Sequence, residues 1–207
     1  MRTSLSVFLA APLLAQDGAP NRFDEMILKA AAEYRTYGRV DDQTRWAPYL
    51  CKRPPPSQAR FSESDDDKSH GQKLYFLFAK NREEYLRPAA PQKVGQILVK
   101  ESWIPVPAEK DDGHAIIDPP DGKLEHRGSY RPYASKDGKL FRADKRAELF
   151  LMMKLDPATP GTDKGWLYAV VSTDLKKVVA SGALQSCIKC HRDAEPDRLF
   201  GLPKPGK

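Results

Sequence analysis

The chain has 207 residues, with 34 basic and 28 acidic side chains and a formal charge of +6. That length fits one domain with extensions. The basic residues are interleaved with acids, as in KNREEYLR and RADKRAEL, so solvated faces explain them and no cationic block argues for a nucleic-acid partner.

The opening stretch, MRTSLSVFLAAPLLA, places Arg2 before an apolar run from Leu5 to Ala15. The run is shorter than the roughly 20 apolar residues that span a bilayer. A basic start, a short apolar middle and small residues before Gln16 predict a secretory signal peptide over residues 1–15, cleaved near Ala15. The remaining chain is then expected in the periplasm or outside the cell, without a membrane span. No cysteine follows the apolar run, so a lipid anchor is not supported.

Residues 16–70 are expected to form an N-terminal helix and a Pro-rich wrapping loop. Phe23, Met26, Ile27, Ala30 and Tyr34 recur at helical spacing within 21–37, with Asn21 as the expected N-cap. The three prolines of KRPPPSQ cannot continue a helix or a central strand, so a loop follows, with Trp46 as its anchor. Residues 71–207 are expected to form the functional domain. QKLYFLFAK (72–80) reads as a strand, NREEYLRPAA as a short helix stopped by Pro88, and GQILVKESWIPV (95–106) as a second strand. Residues 107–146, rich in Gly, Pro and Asp, read as loop with at most one irregular strand. AELFLMMKLD (147–156) and GWLYAVVSTD (165–174) are strong strand candidates joined by a hairpin-type loop. ALQSCIKCHRDA reads as a C-terminal helix and PDRLFGLPKPGK as a tail. The connection between the last two strands is too short for a parallel crossover, so the prediction is an α+β fold: an antiparallel sheet with flanking helices.

The segment SCIKCHRD carries the chemistry. Cys187, Cys190 and His191 form C-x-x-C-H, the pattern of c-type haem attachment. Two thiols on one helical turn can each bond a haem vinyl group, and the next imidazole meets the iron. Three other readings stand beside it. A thioredoxin-like dithiol would follow a strand in a βαβ unit, and this motif has no such context. A zinc site needs further ligands, and His70, His114 and His126 are scattered without ligand spacing. A structural disulfide suits an exported chain. Haem is preferred, because the motif is specific and c-type maturation takes place outside the bacterial cytoplasm. Cys51 is expected to be a free, packed thiol. Met152 and Met153 lie side by side on a predicted strand, where one must point inward, and core packing accounts for it. No convincing sixth ligand emerges, so an iron open to nitric oxide or hydroxylamine-like ligands is expected.

Taken together, the aromatic strand after HG, the strand containing Val99, Lys100 and Glu101, the strand GWLYAVV and the terminal C-x-x-C-H helix resemble the cytochrome P-460 / cytochrome c′-beta family. The resemblance covers the region from HGQKLYFLFAK to SCIKCHRDAEPDRLF. It implies one haem c held by the C-terminal helix against an antiparallel sheet, a homodimer, and a redox-partner cytochrome. The family divides in two. One branch oxidises hydroxylamine and bonds a strand lysine, matched here by Lys100, to the haem as well as to the chain. The other lacks that link, lines the distal side with phenylalanine and binds nitric oxide. This chain has Lys100 and also Phe76 and Phe78. The two phenylalanines share one strand face, which is either the haem pocket or the opposite core. Glu101, of opposite parity, is expected outside any pocket that holds Lys100. The resemblance therefore implies Cys187 and Cys190 as attachment points, His191 as proximal ligand and Lys100 as the catalytic residue. Hydroxylamine oxidation, nitric oxide binding and plain electron transfer are the competing functions. The loops 41–70 and 107–146 depart from the family's compact pattern.

Overall fold

The computed structural model describes residues 21–40, 57–58, 60–61, 72–85, 91–111, 130–194 and 197–199. The expected signal peptide, Trp46, Cys51, His70, His114 and His126 lie outside the described residues.

Helix α1 (Asp24–Glu33) runs into a 3₁₀ turn at Tyr34–Thr36. Its apolar stripe buries Ile27, Ala30, Ala31 and Tyr34. Asn21 does not cap this helix. Phe23 occupies that position, and the Asn21 side chain instead accepts the Phe23 N–H at 3.3 Å, shaping the turn before it.

The strands follow in order: β1 (Gly38–Arg39), β2 (Ser57–Gln58), β3 (Arg60–Phe61) and β4 (Leu74–Ala79). After the one-turn helix α2 (Arg82–Tyr85) come β5 (Ile97–Pro107), β6 (Tyr130–Arg131), β7 (Tyr133–Lys136), β8 (Lys139–Lys154), β9 (Trp166–Val171) and β10 (Val178–Gly182). Helix α3 (Gln185–His191) closes the series. Among the described residues the main sheet has eight strands in the order β1-β4-β5-β8-β9-β10, with β3 also paired to β4 and β7 to β8, and its pairings are antiparallel. β2 and β6 form a separate parallel pair. The antiparallel α+β expectation is met.

The loop expected over 107–146 needs correcting. β8 begins at Lys139 and is 16 residues long, and it forms a hairpin with β7 through Asp137–Gly138. Both turn residues have positive φ, 51° and 73°, as a tight two-residue hairpin turn requires. The charges in FRADKR conceal this strand, because over residues 139–146 only Ala143 is buried and no clean apolar face appears. β10 is a further strand absent from the expected elements. Gly165, at φ 85°, immediately precedes β9, where a Cβ would stand 2.6 Å from the Leu155 carbonyl oxygen, so only glycine fits there.

The two faces of the sheet are filled differently. On one, Phe76, Phe78, Val99, Leu149, Leu151, Met153, Leu167, Ala169 and Val171 pack with α1 into one core. On the other, Ala79, Leu98, Trp166 and Tyr168 pack with Leu199, and Leu77, Met152, Leu184, Cys187 and Ile188 join them partly buried. The strand register fixes this division. Ala79, Leu98, Met152 and Tyr168 form one cross-strand row on the α3 face, and Leu77, Lys100, Phe150 and Val170 form the next.

Candidate functional site

Helix α3 presents Cys187, Cys190 and His191 at positions i, i+3 and i+4, which share one helical face. Both cysteines are free thiols; Cys187 is half-buried and Cys190 exposed. Burial, partly offset by a hydrogen bond with Ser186, pushes the Cys187 thiol above its ordinary pKa. Redox dithiols work through a depressed attacking thiol, and this shift runs the other way.

His191 Nδ1 lies 2.8 Å from the Arg198 carbonyl oxygen. A carbonyl only accepts, so Nδ1 carries the proton and Nε2 the lone pair. Burial holds the imidazole below the usual histidine pKa, the Arg198 hydrogen bond opposes this, and the positive charge of Lys100 adds to the lowering. The ring also meets Tyr168, centroid to centroid 5.6 Å and tilted by 50°. A neutral imidazole with a fixed tautomer and a basic Nε2 is the state a metal requires.

Lys100 belongs to this side of the sheet. It pairs in register with Leu77 on one neighbour strand and Phe150 on the other, and its charge is felt at His191. Burial, with a smaller contribution from the charge of Lys73, lowers its ammonium pKa to about 8. The Nζ atom lies 4.5 Å from the centre of the Tyr75 ring. Tyr75, Leu77, Phe150, Met152 and Val170 are half-buried on the same face. Together they give a largely apolar bed beside α3 that holds the Lys100 amine, with Lys73 Nζ 6.0 Å from the centre of the Phe150 ring.

Phe76 and Phe78 require a correction. They do share a face, but it is the α1 face, where they are 2% and 5% exposed. Their register partners Glu101 and Val99 point the same way, opposite to Lys100. They therefore cannot line a pocket shared by Lys100 and α3. Glu101 sits, as parity required, on the α1 face. There it accepts a hydrogen bond from Tyr34 Oη at 2.5 Å and ion-pairs with Arg35 at 2.7 Å and Arg146 at 3.9 Å. Burial, then the charge of Glu101, raises the Tyr34 hydroxyl pKa far above its ordinary value.

Sequence reasoning missed Tyr168, Asp163 and Arg198. Tyr168 and Trp166 are two apart on a strand and so share the α3 face, a signal present in GWLYAVV. Tyr168 Oη donates to Asp163 Oδ2 at 3.2 Å. Burial, then the charge of Asp163, raises the tyrosine pKa well above its ordinary value. Arg198 lies in the region expected to be a tail and carried no signal.

Among the described residues, no group of three or more His, Cys, Asp and Glu side chains is placed to hold a metal ion. A zinc site built on Cys187 and Cys190 thus lacks its other ligands among those residues. A covalently attached metalloporphyrin makes a smaller demand: two accessible thiols, one oriented imidazole and an apolar surface. Cys187, Cys190, His191 and the bed around Lys100 are the groups that could supply these. Among the described residues no helix is long and apolar enough to cross a membrane. Neither a family model nor a curated protein matches the chain.

Proposed function

We propose that this chain is an exported mono-haem c-type cytochrome acting on small nitrogen ligands, with hydroxylamine oxidation as its reaction and a second cytochrome as electron acceptor. The observation that carries the reading is the union of C-x-x-C-H with the His191 Nδ1–H···O=C bond to Arg198. The motif alone occurs in several chemistries; an imidazole held with Nε2 as its donor atom is what a proximal iron ligand needs. Cys187 and Cys190 would hold the haem covalently, and His191 would offer Nε2 to its iron. When bound, the haem supplies the one-electron chemistry, and the protein sets its surroundings.

The chain's own residues then divide the remaining work. Leu77, Phe150 and Val170 exclude water from the ligand's side of the sheet. Lys100 Nζ is a titratable group beside them. Its pKa of about 8 makes the amine easier to deprotonate than an exposed lysine, and the neutral amine is the form that could bond to a haem. The leader-like N-terminus supports export, and the resemblance supports pairing of two copies.

One observation favours a second reading. Apart from Lys100, the row Leu77–Lys100–Phe150–Val170 is apolar, which suits neutral nitric oxide as a reversibly bound ligand. Absorption spectra of the haem-loaded protein separate the two. A strongly red-shifted Soret band that is lost in Lys100→Ala supports a lysine-modified haem and the oxidase. An ordinary five-coordinate spectrum that responds to nitric oxide and is indifferent to Lys100→Ala supports the binder. A low-spin six-coordinate spectrum that is lost in Met152→Leu, whose thioether lies on the same face, contradicts both and leaves an electron carrier.

A further inference from the structure

Next to α3, the chain adopts a costly backbone. Asp197 and Arg198 have φ of 51° and 64°, two consecutive non-glycine residues in the left-handed region. Each costs about 1–2 kcal/mol, and such strain persists only where the surroundings impose it. Here they do. The Asp197 carboxylate accepts from the Gln92 backbone N–H at 2.7 Å, from Lys154 Nζ at 2.9 Å and from Trp166 Nε1 at 3.1 Å. Arg198 Nη2 donates to Asp163 Oδ1 at 2.8 Å, and its Nε lies 2.7 Å from Asp163 Oδ2 as an ion-pair contact. Arg198 Nη1 donates to the Arg192 carbonyl at 3.1 Å. The Arg198 and Asp163 side chains are each 12% exposed, so the pair is largely removed from solvent screening.

The strained turn delivers one group to the site: the Arg198 carbonyl, 2.8 Å from His191 Nδ1. A relaxed backbone at Arg198 would turn that carbonyl elsewhere. We propose that Asp163, Arg198 and Asp197 are positioning residues for His191, a clamp that holds the strained turn so that its carbonyl fixes the imidazole tautomer and raises the basicity of Nε2. The inference rests on the reading of His191 as an axial iron ligand. A stronger Nδ1–H···O=C bond makes the ring more electron-rich and favours ferric over ferrous iron. Weakening the clamp shifts the balance toward ferrous.

The test uses the full chain matured with haem, alone and as Asp163→Asn and Arg198→Lys. The midpoint potential and the iron–histidine stretching band of the ferrous protein are read together. A roughly tenfold shift toward ferrous iron, equal to about 59 mV for one electron, is expected in Arg198→Lys, with a smaller shift in Asp163→Asn. The stretching band should move to lower frequency in both. Wild-type potential and band in both variants overturn the clamp. A haem-free arm keeps the two questions apart. In the Cys187→Ala/Cys190→Ala chain, ¹⁵N spectra should show His191 as the Nδ1–H tautomer, and adding Asp163→Asn should populate the other tautomer. An unchanged tautomer in folded protein overturns the clamp, whereas a wild-type chain that takes up no haem overturns only the cofactor reading.

Discussion

On its α1 side the sheet presents Phe76, Phe78, Val99, Leu149, Leu151 and Val171, all buried, around the ion-paired carboxylate of Glu101. On its α3 side it presents Leu77, Lys100, Phe150, Met152 and Val170, all half-buried, next to two free thiols and an oriented imidazole. Adjacent residues of one strand, Lys100 and Glu101, serve these two sides, each carrying a charge inward. The carboxylate meets two guanidiniums and a tyrosine hydroxyl. The ammonium meets an aromatic face and a neighbouring lysine's charge, and its pKa falls to about 8. Removing one member of a buried ion pair is strongly destabilising, whereas a strongly perturbed pKa marks a candidate functional group. The proposed function draws on the second face, while the first holds the larger buried core.

The strongest way to break this division is to damage the α1 face and look for an effect on the other. Glu101→Ala leaves the buried Arg146 and the Arg35 guanidinium without their carboxylate and should cost about 3–5 kcal/mol in urea unfolding. Phe76→Ala, at a side chain 2% exposed, should cost a similar ~3–5 kcal/mol through the cavity it leaves. In both, the spectrum of the haem-loaded protein should stay that of the wild type wherever the variant is folded. A shifted Soret band in Phe76→Ala would return that ring to the pocket.

Lys100→Met sharpens the contrast from the other side. At neutral pH the folded chain keeps this ammonium charged in a partly desolvated place. Removing the charge should stabilise the haem-free protein by about 1–2 kcal/mol, after discounting for partial exposure and for the lost contact with Tyr75. The sign follows from proton counts. The folded pKa is about 8 and the unfolded value about 10.4, so between them the unfolded chain binds more protons and wild-type stability rises with pH. The advantage of Lys100→Met should therefore shrink from pH 8 upward and vanish above about pH 10. Paired denaturation curves across that window check it.

A smaller effect is expected from His191 in the haem-free chain. Its folded pKa lies below the unfolded value of about 6.5. On acidification the unfolded chain takes up the proton first. The stability that depends on a neutral imidazole is fully present above about pH 6.5 and falls as pH drops below it. His191→Phe should flatten that part of the pH–stability profile.

That Cys187, Cys190 and His191 share one helical face was legible, because the C-x-x-C-H spacing matches the helix period. Parity on β4 was legible too, so Phe76 and Phe78 were placed together. Which way they faced was not, because apolar side chains occur on both sides of this sheet and only the β4–β5 register decides between them. Lys100 was ambiguous for a related reason: a lysine on a strand normally faces water, and its pairing with Leu77 and Phe150 is a property of the assembled sheet. The β7–β8 hairpin carried an Asp137–Gly138 signal, but its charged arm obscured the strand. The clamp on His191 lay beyond sequence reasoning, since Asp163 and Arg198 are 35 residues apart and meet only when the segment after α3 folds back on β9.

Intact mass of the chain produced with export and haem-ligation machinery tests the central claim most directly. The account predicts the addition of one haem, carried by a tryptic fragment containing Cys187 and Cys190, and its loss when both are replaced by alanine. A chain of unmodified mass, with both thiols still titratable, would contradict it.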